Sequence, residues 1–310
     1  MAVKEFVGAE LLLLSKIIKQ DSIAFAFGGR NPMWLGWWLK VLGKEVHVND
    51  ILHFSYWDSV GMVENDHDTF DEERLLNLTE GFEKRSKLKN PELTRLVPRA
   101  DAYFFDQLRE RIDELPPHLK GMAIRAGYLT IRYVQTLDTS ATFTEIRQPL
   151  AMVFHNLIRS LNERVTDKGV GHAYRQEANE FVKEPKADAL FFQLPLAEGL
   201  NLESFKGARV LGPVGREVWT AGPAKTWLPK LREQTEGTFG DKLITRESYD
   251  QALSNLLQNA NDYPVWIFNL QESEYLRVLS VVRQFRKPKG VHRFDARGTT
   301  GGYVNLFLIA

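Results

Sequence analysis

Apolar positions fall on helical spacing over residues 9–19, where Leu11, Leu12, Ile17 and Ile18 predict a helix. Residues 22–27 form a short apolar run closed by Gly28-Gly29, the pattern of a buried strand entering a tight turn. Trp34, Leu35, Trp38 and Leu42 mark one stripe of a helix over 33–42. Gly43 stops that helix, and Glu45–Val48 alternates into a second strand that ends at Asn49-Asp50. Strand, glycine turn, helix, strand and acid within about 30 residues predict a βαβ unit.

Strand signals are then scarce as far as residue 165. The stretches 52–64, 71–88, 101–114, 118–137 and 143–165 have helical periodicity, punctuated by Asn90-Pro91, Pro98 and Pro116-Pro117. Alternation of strand and helix resumes with a strand over 187–192, a helix over 249–260, a strand over 265–268 and a helix over 273–286. The apolar residues 303–309 predict a last buried strand. The expected class is α/β: a Rossmann-like, mostly parallel sheet formed by 1–57 and 166–310, with a helical insertion over 58–165.

Composition narrows the picture. The chain has 310 residues, 44% hydrophobic and 26% charged, which is enough for a full core and excludes disorder. Cysteine is absent from the sequence, which excludes disulfides, thiolate zinc sites and a cysteine nucleophile. The apolar stretch near the N-terminus is too short and too interrupted for a spanning helix, so a cytoplasmic protein without membrane attachment is expected. Forty basic residues balance forty acidic ones, which argues against attachment to nucleic acid by bulk charge. The charge is nonetheless polarised. Residues 58–74 are acidic, residues 84–99 are basic, and 277–297 hold seven cations against Asp295 alone.

Five segments in order carry a resemblance. Phe6-Val7-Gly8-Ala9-Glu10 is followed by Phe27-Gly28-Gly29, then by Val48-Asn49-Asp50-Ile51-Leu52-His53-Phe54-Ser55-Tyr56 with Glu64-Asn65 behind it. Next come Asp188–Leu196, ending in Gln193-Leu194-Pro195-Leu196, and Tyr263-Pro264-Val265-Trp266-Ile267-Phe268-Asn269. Together they resemble the Dam-like class of adenine-specific DNA methyltransferases over most of the chain. The resemblance implies S-adenosylmethionine as cofactor, with Gly28, Gly29, Asp50 and Glu177 around it. It also implies transfer of a methyl group to the amine of an adenine rotated out of double-stranded DNA. By the same resemblance the inserted segment and a late loop face DNA, which assigns Lys84, Arg85, Lys87 and Lys89 in the first and Arg286, Lys287, Lys289, Arg293 and Arg297 in the second. Ordinary surface cations are the alternative.

The departures fall on the chemistry. The adenine amine is a poor nucleophile because its lone pair is delocalised into the ring, and the family localises it with an Asp or Asn oxygen and a backbone carbonyl. An aromatic residue of the same tetrapeptide stacks on the base. Here Gln193 holds the carboxylate position, Leu194 the next, Pro195 is kept, and Leu196 replaces the ring. One extra methylene moves the acceptor by about 1 Å, and a misplacement of that size can cost about a hundredfold. Losing the stacking platform forfeits about 1–3 kcal/mol. In the cofactor loop Arg30-Asn31-Pro32 follow the glycines, and Glu10 stands where the family keeps a lysine.

Three functional readings remain open. The favoured one is a catalytically impaired relative that serves as a DNA-binding or partner subunit, beside a catalytic methyltransferase or another defence-system subunit, with the cofactor kept or lost. The second is an active adenine methyltransferase using Gln193 and the Leu194 carbonyl, with an unusual cofactor loop. The third is a scaffold with neither ligand. Trp34, Trp37 and Trp38 share a helix face and read either as core or as a side chain filling the cofactor pocket. Asp58, Glu64, Asp66, His67 and Asp68 have no metal-loop spacing, His47 and His53 read as structural, and no metal site is expected. Gly298–Gly302 reads as a turn, since no helix follows it.

Overall fold

A computed structural model describes residues 8–28, 30–137, 147–195, 212–241, 243, 245–295 and 304–310. In chain order its first half contains α1 (Gly8–Ile17), β1 (Ser22–Phe25), α2 (Arg30–Val41), β2 (Glu45–Asn49), α3 (His53–Ser59), α4 (Glu72–Thr79), α5 (Arg99–Asp113), α6 (Pro117–Leu137) and α7 (Leu150–Asn162). The second half adds β3 (Val170–Tyr174), α8 (Ala178–Val182), β4 (Ala189–Phe192), α9 (Pro213–Ala221), α10 (Ala224–Thr235), α11 (Arg246–Asn259), β5 (Val265–Gln271), α12 (Tyr275–Val282), β6 (Gly290–Asp295) and β7 (Val304–Ile309). The chain divides into two compact units. One comprises residues 1–51, 168–200 and 232–310, and the other 52–167 and 201–231.

The first unit is α/β. Its seven strands lie in the order β3-β2-β1-β4-β5-β7-β6. The pairings among β1 to β5 are parallel, and β7 runs antiparallel to both β5 and β6. The first five positions are those of a doubly wound fold, in which the strand order reverses between β1 and β4. The strands that form the middle of this sheet are apolar on both faces because helices cover both. All four residues of β4 are buried. On one face Ala24, Leu190, Phe192, Trp266 and Phe268 pack with Leu253, Leu256 and Leu257 of α11 and with Val278 and Val282 of α12. The Phe192 and Phe268 rings stack at 4.6 Å. Burying each such side chain is worth about 1.5–3 kcal/mol. On the other face Gly36 of α2 lies so close that an added Cβ would stand 3.1 Å from Val46 and 3.2 Å from Val48.

Several expectations need correction. The stripe on α2 is rotated: Met33, Leu35 and Leu39 are buried, Trp34, Trp37 and Trp38 are half-buried, and Leu42 is exposed. The predicted helix 71–88 ends at Thr79, and Gly81 has a left-handed φ of 65°. Lys84, Arg85, Lys87 and Lys89 therefore sit on irregular chain and not on a helix. Residues 290–295, expected within a loop, form edge strand β6, and β3 was not anticipated at all. Both strands draw their hydrogen bonds from one neighbour and bury little, so they carry no periodic signature.

The second unit is helical. The end of α3 continues as one wide turn over Val60–Glu64, where Gly61 meets Gly121 of α6 backbone to backbone. A Cβ on Gly121 would stand 2.3 Å from the Trp57 carbonyl oxygen, so this crossing needs glycine at that position. Buried carboxylates fasten the unit. Both Asp58 oxygens accept from Arg125 Nη1, at 2.6 and 2.7 Å. Glu217 caps the start of α3, its two oxygens accepting from the backbone N–H groups of His53 and Phe54. Asp106 does the same for Lys89 and Asn90. Among the described residues no helix is long and apolar enough to cross a membrane.

Candidate functional site at the carboxyl ends of the sheet

In a doubly wound sheet a ligand binds beyond the carboxyl ends of the strands, where the strand order reverses. Gly28 leaves β1 at that end, and a Cβ there would stand 2.7 Å from Asp50 Cβ and 2.9 Å from Asp50 Oδ2. The β1 turn thus lies directly on the acid that ends β2, a contact that glycine permits. Asn49 fixes the arrangement. Its Nδ2 donates to the carbonyls of Ala26 and Gln176, each at 3.1 Å, and its Oδ1 accepts from the Gln176 N–H at 3.0 Å. The Asp50 N–H donates to the Tyr174 carbonyl. These bonds tie together the ends of β1, β2 and β3.

Gln193, Leu194 and Pro195 follow β4 directly. Gln193 Oε1 is buried and has no hydrogen-bond partner among the described residues. One strand away, the same holds for Asn269 Oδ1. The β4–β5 register runs Ala189↔Val265 to Phe192↔Phe268, so Gln193 and Asn269 stand one residue beyond its last pair. A buried acceptor left unpaired costs about 1–3 kcal/mol, and the cost is met when a ligand N–H fills the position. Leu194 packs on the apolar core, and the Pro195 carbonyl lies 3.5 Å from the Tyr249 hydroxyl. Burial raises the Tyr249 phenol well above its usual range, so it stays protonated. Asn269 belongs to a segment that carried the resemblance, but sequence gave it no role. Its one local signal is an amide closing an otherwise apolar strand.

Other predicted site residues are placed differently. Glu177 caps α8, accepting from the Asn179 N–H at 2.7 Å and from Asn179 Nδ2 at 3.1 Å, so both its oxygens are engaged. Pro32 falls in the first turn of α2, where a missing N–H costs the helix nothing. The Trp34 and Trp37 rings meet edge to face at 5.5 Å. Gly29, Leu196, Arg297, Phe6, Val7 and the 298–302 turn lie outside the described residues.

The predicted DNA-facing cations divide between the two units. In the helical unit Arg85 and Lys89 both reach Glu110, at 2.5 and 3.1 Å, while Lys84 and Lys87 are exposed. The hydrogen bond from Arg85 holds the Glu110 carboxyl below its ordinary value. Asp106 and Gln107 shape this segment by accepting the backbone N–H groups of Glu83, Lys89 and Asn90. In the sheet unit Arg286 lies 3.6 Å over the Trp266 ring and donates to the carbonyls of Tyr263 and Asn261, which is a packing role. Arg293 on β6 stands 3.4 Å from Glu272, and Lys287 and Lys289 are exposed. Of the acidic cluster, Asp58 is paired with Arg125, and Glu64 and Asp68 flank His118.

No protein-family model matches this chain, and no curated protein matches it.

Proposed function

We propose that the chain is a catalytically impaired relative of the adenine-specific DNA methyltransferases, serving as a DNA-binding or partner subunit of a modification or defence system. The observation that carries this reading is the buried oxygen of Gln193 at the carboxyl end of β4, without a partner among the described residues, with Asn269 next in register on β5. An exocyclic amine has two N–H donors, and two amide oxygens are acceptors of the kind such a group requires. The same chemistry limits transfer. An amide oxygen is itself acceptable there, since the family uses Asn as well as Asp, so the limit is one of length. The longer Gln193 side chain sets its oxygen about 1 Å from the family position, worth about a hundredfold in rate.

For S-adenosylmethionine the fit is partial. Asp50 at the end of β2 suits the ribose hydroxyls, and Gly28 lets the backbone approach. Glu177, the acid expected near the adenine of the cofactor, is spent on the α8 cap. The bound cofactor would supply an electrophilic methyl group. DNA contact on this reading comes from the exposed Lys84 and Lys87, whose segment is held in shape by Asp106 and Gln107.

The test pairs two measurements on the full chain: binding of an adenine-containing duplex at low and high salt, and transfer of a labelled methyl group from S-adenosylmethionine. The expected result is saturable binding that falls steeply with salt, with no transfer above the blank. Multiple-turnover transfer would instead establish an active enzyme working through Gln193. Salt-independent or absent DNA binding, together with no transfer, would leave a scaffold.

A further inference from the structure

The parallel pairing of β2 with β3 sets Glu45, His47 and His172 together. His47 and His172 are register partners, and Glu45 lies two residues before His47 on the same strand. Among the described residues this is the one group of three metal-ligating side chains whose ligand atoms all fall within 4.8 Å of one another. Glu45 Oε1 stands 3.2 Å from His47 Nε2 and 3.6 Å from His172 Nε2. A tetrahedral ion with bonds of about 2.0–2.1 Å has ligand–ligand edges of about 3.4 Å, so the Glu45–His47 separation suits a shared ion as it stands. The second nitrogen of His47 is already oriented, since Nδ1 lies 3.0 Å from the Tyr174 hydroxyl. With His47 N–H directed to that oxygen, the lone pair of Nε2 points toward Glu45, as in metal sites where an outer group fixes a ligand imidazole.

We propose that Glu45, His47 and His172 bind one zinc-class divalent cation, with Tyr174 as the positioning residue. Two imidazoles and one carboxylate form the nitrogen-and-oxygen set such ions select, and three protein ligands leave a fourth position for water. Access is open, because Glu45 and His172 are half-exposed while His47 is buried. The His47 and His172 rings stack at 4.6 Å, so the ion must turn the exposed His172 ring out of the stack to share its lone pair. Lys186, its ammonium 5.7 Å from the centre of the Tyr174 ring, is a cation that opposes the ion. The ion would cross-link edge strand β3 to β2.

The full chain, stripped with a chelator, is titrated with Co2+ while the visible ligand-field absorption is followed, and Zn2+ is then added in competition. One equivalent of Co2+ should saturate the band and Zn2+ should abolish it. His172→Ala, on an exposed edge, should weaken Co2+ binding at least tenfold while the far-ultraviolet circular dichroism is unchanged. Tyr174→Phe should weaken it about tenfold and keep the band. No saturable band in the wild type, or equal affinity in His172→Ala, would overturn the site. An unchanged Tyr174→Phe would overturn the role given to Tyr174.

Discussion

Three buried carboxylates of the helical unit and two buried amides of the sheet unit use their oxygens in opposite ways. In the helical unit Asp58, Asp106 and Glu217 are all buried, and each uses both carboxylate oxygens on Arg125 or on backbone N–H groups. In the sheet unit the amide oxygens of Gln193 and Asn269 are buried at the carboxyl ends of neighbouring strands and have no partner among the described residues. A buried polar atom that the fold satisfies is part of what holds the fold together. One that the fold leaves unsatisfied at a strand end, where α/β ligands bind, points outside the protein for its partner. Asp58, Asp106 and Glu217 are therefore occupied by the fold, whereas the two amides are candidates for an outside donor.

Breaking the comparison begins where it is strongest. Asp58→Ala leaves Arg125 charged and buried, and should cost about 3–5 kcal/mol in denaturant unfolding. Pairing it with Arg125→Met removes the stranded charge and should recover most of that loss. A single-variant cost below about 1 kcal/mol would show that the pair holds little. Glu217→Gln comes next. It puts an amide with only one acceptor oxygen before the N–H groups of His53 and Phe54, and the expected loss is about 1–3 kcal/mol in the same measurement. An unchanged unfolding midpoint would mean that water serves those donors equally well.

How far the sequence shows these features depends on whether the cause is local. The strands β1, β4, β5 and β7 are apolar runs because helices or neighbouring strands bury them, and that pattern is visible residue by residue. The edges β3 and β6 are not, because what makes them strands is a partner far away in sequence. Gln193 was legible through its place in a resembled tetrapeptide, whereas the role of Asn269 depends on a register 76 residues away (269 − 193) that no local pattern states. His172 is hidden for the same reason, since its neighbour His47 lies across a strand pairing. The capping role of Glu177 is hidden too, because Glu is an uncommon cap and its engagement shows only in the geometry of α8. The end of α4 could have been read from Gly81, a residue suited to the left-handed turn that stops a helix.

The smallest expected effect is also the sharpest, because its sign is reversed. Gln193→Met keeps length and volume but replaces the unpartnered oxygen with a thioether that asks for no hydrogen bond. If Gln193 Oε1 waits for a ligand, the free protein carries its desolvation cost, and the methionine variant should gain about 1 kcal/mol in denaturant unfolding. The same variant should lose discrimination between duplexes with an unpaired adenine and those without one, since the amine has lost an acceptor. Destabilisation of the sheet unit by Gln193→Met would show that the oxygen is satisfied within the fold, like Asp58 and Glu217, and the contrast with those carboxylates would fall. A gain in stability with binding unchanged would keep the contrast but move the proposed amine-binding role from Gln193 to Asn269, its neighbour in register.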